Sequence, residues 1–243
     1  MMAANGLPDF LGIGAVKAST TWLYRNLYQH PELYLPITKP VRYFDRHRDK
    51  PIETYKVIFK PASGRLCGEF SASYSVLPIE TIEYIHRLMP GLKLIFLMRE
   101  PKARAWSEAK MEFSVVRGLG DKAISDDDYC AFIESEQCRT RGDYRTILAN
   151  WQSVFPASQI FVGLMDDVQA QPMAFLGRLF DFLGVSRDVD YAAYPVDKKI
   201  FAGRELAMPE RCRALLDGMY TSDQIRALGD FVDMNLVSRW GYA

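Results

Sequence analysis

Apolar and polar positions follow two rhythms along this chain. Short continuous apolar runs of strand length are succeeded by longer stretches in which apolar residues return every three or four positions. Residues 9–14 are the first such run. Residues 20–29 are the first helical stretch, with Trp22, Leu23, Leu27 and Tyr28 spaced for one buried face. Pro31 and Pro36 close it. Residues 39–45 read as extended, because Pro40 pushes Lys39 toward β or polyproline geometry. A short strand is expected at 65–71 and a helix at 79–88, stopped by Met89-Pro90-Gly91. Residues 92–98, Leu-Lys-Leu-Ile-Phe-Leu-Met, make the clearest central strand. Pro101 suits the first position of a helix over 102–113. Residues 115–128 read as a mobile loop and 144–154 as a helix. A strand at 159–164 and a helix at 172–183 closed by Gly184 follow. Residues 190–208 read as mostly irregular, and 210–220 and 222–235 as the last helices.

Strands alternating with helices imply a mainly parallel sheet covered by helices on both faces, with ligands at the C-terminal ends of the strands. No linker or repeat interrupts the 243 residues, so one α/β domain over 1–243 is expected. The formal net charge is zero, which removes any general attraction to nucleic acid or an anionic membrane. No apolar run approaches the roughly 18 residues of a membrane span, and Met1–Pro8 lacks the basic and apolar regions of a secretory leader. The expected location is the cytoplasm. The four cysteines have no metal-binding spacing and read as free thiols there; a Cys130–Cys138 bridge is expected only in an oxidising compartment.

Chemistry concentrates at two strand ends. The first is Phe10-Leu-Gly-Ile-Gly-Ala-Val-Lys17-Ala18-Ser19-Thr20-Thr21-Trp22. Glycines, a lysine and three hydroxyl residues at a strand-to-helix junction suit a tetrahedral anion held by backbone N–H groups and a cation. The spacing is not that of an ATP-binding loop, in which glycine directly precedes the lysine; here Val16 does. The second is Arg99-Glu100-Pro101, directly after the central strand, with Ser107 on the following helix. Arg99 offers a permanent charge and a forked donor to a second phosphate. A nucleoside triphosphatase usually ends this strand with an acid that helps to hold Mg²⁺. No metal site is expected.

These features together resemble the sulfotransferase superfamily that uses 3′-phosphoadenosine 5′-phosphosulfate (PAPS), in its bacterial and heparan-sulfate-type branch. Lys17 through Leu23 is similar to the family's 5′-phosphosulfate loop, and Arg99 through Ser107 to its 3′-phosphate motif. Gly68-Glu69-Phe-Ser71-Ala-Ser73-Tyr74 resembles G-E-x-S-P-x-Y. Lys39-Pro40-Val-Arg42-Tyr43-Phe44-Asp45 resembles K-E-x-x-[FY]-F-D, and Gly142-Asp-Tyr144 with Trp151 and Phe155 fits the branch's later helix. The resemblance implies a P-loop-like fold. It implies a phosphosulfate surrounded by Lys17, Ala18, Ser19, Thr20, Thr21 and Trp22, and a 3′-phosphate held by Arg99 and Ser107. Lys198, Lys199, Gly203 and Arg204 match the family's late basic loop on the nucleotide. The implied reaction moves a sulfuryl group to a hydroxyl or amine and leaves 3′-phosphoadenosine 5′-phosphate (PAP). Lys17, with Lys39 as a second cation, would stabilise the departing oxygen.

One position departs from the pattern. The family's usual base is the glutamate of the K-E pair, and Pro40 stands there. Asp45 ranks first among replacements, ahead of His47 and Glu69; an acceptor that needs no base is the remaining option. The neutral chain lacks a long basic run for a polyanion, so the expected acceptor is a small molecule. A catalytically silent nucleotide-binding protein and a P-loop nucleotide kinase are the alternative readings.

Overall fold

The computed structural model describes residues 6–119, 124–198 and 206–242. Among the described residues, five parallel strands form one sheet in the order β2-β3-β1-β4-β5. They are β1 (Phe10–Gly14), β2 (Leu33–Tyr34), β3 (Leu66–Phe70), β4 (Lys93–Met98) and β5 (Ile160–Leu164). Every residue of β1 is buried, as expected of a central strand covered on both faces. It pairs with β3 through Phe10↔Gly68 and with β4 through Phe10↔Lys93. Its glycines are demanded by aromatic neighbours: a Cβ on Gly12 would lie 1.9 Å from Phe70 Cδ1, and one on Gly14 2.7 Å from Phe96 Cε2. So β1 can lie flush against its neighbours and still end in a loop at the C-terminal edge of the sheet.

The chain forms two compact units interleaved in sequence. The first, Met1–Met98 with Ala149–Ile200, holds the whole sheet. Its helices are α1 (Thr20–Leu27), α2 (Tyr43–Arg46), α3 (Ile52–Lys56) and α4 (Ile79–Leu88). The second, Arg99–Leu148 with Phe201–Ala243, contains α5 (Pro101–Met111), α6 (Asp126–Glu134) and α7 (Glu136–Gly142). Helix α8 (Tyr144–Gln152) crosses the boundary; α9 (Met165–Ala170) and α10 (Pro172–Leu183) return to the first unit. The chain ends with α11 (Glu210–Met219), α12 (Ser222–Val232) and α13 (Leu236–Trp240) in the second. Trp106, Phe113, Tyr129, Phe132 and Leu216 lie in that unit's core.

Most expected elements occur within two residues of their limits. Gly184 closes α10 at φ 79°, and Pro101 opens α5 behind the N-cap Glu100. The extended reading of 39–45 is corrected: Arg42 turns left-handed at φ 59° and Tyr43–Arg46 is a short helix. The loop reading of 115–128 stops short, because Glu112–Val116 is a π-helical turn and α6 begins at Asp126 under a Ser125–Asp128 capping box. The last helix is divided at Asp233, which is left-handed at φ 55°. No helix among the described residues is long and apolar enough to cross a membrane.

All four cysteines are free and buried. The pairing considered in the sequence is replaced by another: Cys130 Sγ lies 3.0 Å from Cys212 Sγ, while Cys138 Sγ accepts from Arg104 Nη2 at 3.5 Å. Oxidation with diamide is expected to link Cys130 to Cys212 and spare Cys138, as read by non-reducing peptide mapping.

Candidate active site

The β1–α1 junction is built around two strained residues. The Ala15 N–H donates to Leu97 O at 2.8 Å and so fastens the loop to β4. Lys17 and Ser19 both take left-handed backbones, at φ 68° and φ 61°. Residues with a Cβ seldom do so, and they cluster where a ligand or reaction needs the geometry. Ala18 between them is fully buried. Ser19 is the N-cap of α1, yet its side chain makes no capping bond. The first-turn N–H groups of α1 are thus left uncapped by that hydroxyl. With the helix dipole, the hydroxyls of Ser19, Thr20 and Thr21 and the Lys17 ammonium, the donor set fits a tetrahedral anion. Trp22 is buried; its Nε1–H donates to Val196 O at 2.9 Å and its ring meets Phe175 edge-on. Trp22 thereby pins the segment that leads to the exposed Lys198. Lys199, Gly203 and Arg204 lie outside the described residues.

The second group lies beside this loop in the same unit. Lys39 Nζ donates to Thr21 Oγ1 at 2.8 Å. Burial pushes its ammonium down to about 7, opposed by the charge of Glu69. Glu69 is fully buried on β3 and accepts from Ser71 Oγ at 2.8 Å and Tyr55 OH at 3.3 Å. Burial pushes its carboxyl up to about 7, with the bonds from Ser71, Tyr74 and Tyr55 pulling the other way. Ser71 Oγ also accepts from the Arg42 N–H at 2.9 Å, and Tyr74 OH from the Phe44 N–H at 3.3 Å. The stretch around Pro40 is thus laced onto the Gly68–Tyr74 motif. Asp45 Oδ2 accepts from both Arg42 Nε and Nη2, at 3.0 and 2.7 Å. His47 is exposed at the end of α2.

The phosphate candidates of the second unit begin directly after β4. Arg99 O accepts from Tyr144 OH at 2.9 Å. The Glu100 carboxylate accepts from the N–H groups of Lys102 and Ala103 and from Tyr242 OH, so it serves as the cap of α5. Ser107 lies on α5 between Arg104 and Glu108, which form an ion pair in the interior, 0% and 1% exposed. Arg141 joins the same carboxylate from α7, and Arg104 Nη2 donates to Cys138 O at 2.9 Å. Sequence reasoning passed over Arg104, Glu108, Arg42 and Tyr55. The i,i+4 spacing of Arg104 and Glu108 was a readable signal; Tyr55 offered none.

A parallel sheet whose first strand feeds a left-handed turn at the start of a helix defines an α/β protein of P-loop-like type. The comparisons with known proteins narrow this further. Residues 43–189 match the model described as "Sulfotransferase family", and the chain belongs to that family. Heparan sulfate glucosamine 3-O-sulfotransferase 6 of Mus musculus is 29% identical over 185 residues, covering 75% of this chain and 54% of the mouse protein. Bifunctional heparan sulfate N-deacetylase/N-sulfotransferase 4 of Mus musculus is 25% identical over 205 residues, covering 76% of this chain and 23% of the relative. The chain therefore spans about half or less of these relatives' lengths. Among solved structures, a sulfotransferase from Alicyclobacillus acidocaldarius superposes with a TM-score of 0.74 at 23% identity, covering 96% of this chain and 98% of the other. Mouse sulfotransferase SULT7A1 complexed with PAP gives 0.55 at 14% identity, covering 95% and 90%. Both likenesses concern the fold.

Proposed function

We propose that this chain transfers a sulfuryl group from PAPS to a hydroxyl or amine of a small-molecule acceptor. The observation that carries the reading is the pair of left-handed residues, Lys17 and Ser19, flanking buried Ala18 at the uncapped start of α1. Family membership supports the sulfuryl chemistry. Lys17 and the first turn of α1 are the groups for the phosphosulfate. Lys17 is the cation for the bridging oxygen, which gains negative charge as PAP leaves. Arg99 and Ser107 are assigned to the 3′-phosphate. Glu100, spent as a helix cap and as acceptor for Tyr242, is badly placed to serve as the acid of a kinase's Mg²⁺ site.

The small-molecule acceptor is supported by a cleft of about 340 Å³ in the first unit. Tyr24, Tyr28 and Ile37 give it apolar walls, while Arg25 and Lys198 add positive charge. That volume suits one small ligand. Tyr24 also lies against Lys39, whose Nζ is 5.6 Å from its ring centroid, so the cleft adjoins the proposed chemistry. A phenol or another aromatic alcohol matches these walls.

Thermal shift tests the donor. PAP is expected to raise the melting temperature well above the effect of ADP at equal concentration, because only PAP carries the 3′-phosphate assigned to Arg99 and Ser107. Equal shifts sink that assignment. A kinase would favour ADP with Mg²⁺, and a silent binder would show the PAP shift without ever consuming PAPS.

A further inference from the structure

We propose that Lys39 accepts the proton of the acceptor, doing the work for which Pro40 has no group, with Glu69 behind it as a positioning residue. The inference rests on the transfer reading above and adds how the acceptor is activated.

The geometry singles out this amine. Its Nζ is one hydrogen bond from the anion loop, 2.8 Å from Thr21 Oγ1. It lies between two aromatic rings, 5.6 Å from the centroid of Tyr24 and 5.8 Å from that of Phe70. Asp45, by contrast, has Oδ2 committed to two donors of Arg42. Glu69 is sealed from solvent and occupied by Tyr55 and Ser71. Its remaining influence is its charge, which favours the ammonium once Lys39 has taken a proton.

Among the described residues, Tyr24 and Arg25 on α1 and Glu69 on β3 are charged or titratable groups that act on or lie against Lys39. Asp45, Tyr55 and Tyr74 act on Glu69 in turn. Burial dominates and, with a smaller contribution from Arg25, outweighs Glu69, so that the amine titrates at about 7. Near neutrality a large share of Lys39 is then neutral and carries a lone pair, which an ammonium lacks. Such lowered lysines suit general-base catalysis.

The reaction balances without a further reagent. The acceptor oxygen bonds to sulfur, and the bond from sulfur to the bridging oxygen breaks with its electron pair left on PAP. The acceptor's proton passes to Lys39 Nζ, which later returns it to solvent.

A base and a second cation make opposite predictions. A base is active when neutral, so kcat/KM should rise with pH through about 7. A cation is active when charged, so kcat/KM should fall through the same range. The experiment uses the full chain with ³⁵S-labelled PAPS, and 2-naphthol or a heparan-type oligosaccharide as acceptor. Lys39→Arg keeps the charge and removes the accessible neutral form, and is expected to lose about 100-fold or more in rate. Glu69→Gln removes the anion that favours the ammonium, and is expected to move the rising limb to lower pH. In parallel, NMR of protein labelled with ¹³Cε/¹⁵Nζ-lysine follows Lys39 directly, with Lys39→Arg as the assignment control; its titration is expected near neutrality.

A falling limb, a Lys39→Arg variant within threefold of wild type, or a Lys39 signal still protonated above pH 9 each overturns the base role alone. Wild-type protein that binds PAP yet consumes PAPS with neither acceptor overturns the transfer reading, and this inference with it.

Discussion

Replacing Lys17 with alanine is expected to lower turnover by about two orders of magnitude, a loss of about 3 kcal/mol of barrier stabilisation. In the proposed reaction the ammonium serves an oxygen whose negative charge grows as the sulfuryl group leaves, so its contribution is larger in the transition state than in the bound complex. The expected signature is therefore a drop in kcat with a smaller change in PAP binding. The backbone makes the substitution a clean one. Lys17 is left-handed at φ 68°, and lysine and alanine both carry a Cβ, so steric strain at this position is nearly the same in each. A loss of rate then reports on the ammonium and not on a collapsed loop. Arginine retains the charge with another shape, and a partial recovery in Lys17→Arg would mark the charge as the active property. The measurement is single-turnover transfer from labelled PAPS beside PAP thermal shift. Near-normal turnover in Lys17→Ala rules out the assigned role.

That loop could be read from the chain because its signals are local. Glycines at the end of an apolar run, a lysine and three hydroxyls lie within ten residues of each other, and a strand-to-helix turn can arrange them in only a few ways. The central strand β4, the Pro101 start of α5 and the Gly184 end of α10 are legible for the same reason. What was missed depends on distant partners. Helix α2 is four residues long and follows a left-handed Arg42, whose N–H is held by Ser71, 29 positions away. No periodicity marks such an element. The start of α6 is different, because the Ser125–Asp128 capping box is a local signal inside the loop expected over 115–128.

The site divides along the same line. Pro40 could be seen to lack an acidic group, but nothing in the sequence could show Lys39 packed against Tyr24 and Phe70 with a burial-lowered pKa. Glu69 reads from the chain as a candidate base; its anchoring role depends on Tyr55, fourteen positions earlier, which donates to it. The two compact units left no mark either, because each is assembled from separated segments and no Gly/Pro-rich linker is needed.

Replacing Glu108 with alanine is expected to cost about 3–5 kcal/mol of stability, the range for removing one partner of a buried ion pair. Glu108 is 1% exposed and Arg104 is 0% exposed, so the guanidinium left behind has no water to turn to. Arg104 would keep its bond to Cys138 O, but its Nε already lacks a partner, so the remaining interactions are too few to compensate the charge. The carboxylate also bonds Arg141, so its loss removes one of the ties between α5 and α7 as well. Urea unfolding of wild type and variant measures the difference. The double variant Arg104→Met with Glu108→Leu separates charge from packing: removing both charges should restore most of the stability, since an apolar pair of similar volume carries no desolvation cost. A single-variant cost below about 1 kcal/mol would contradict the buried-charge account, because an exposed pair is worth no more than that. The consequence reaches the proposed 3′-phosphate position through one residue. Ser107 stands between the two partners on α5, so Glu108→Ala should weaken PAP stabilisation as well as the fold, whereas the repacked double variant should recover both.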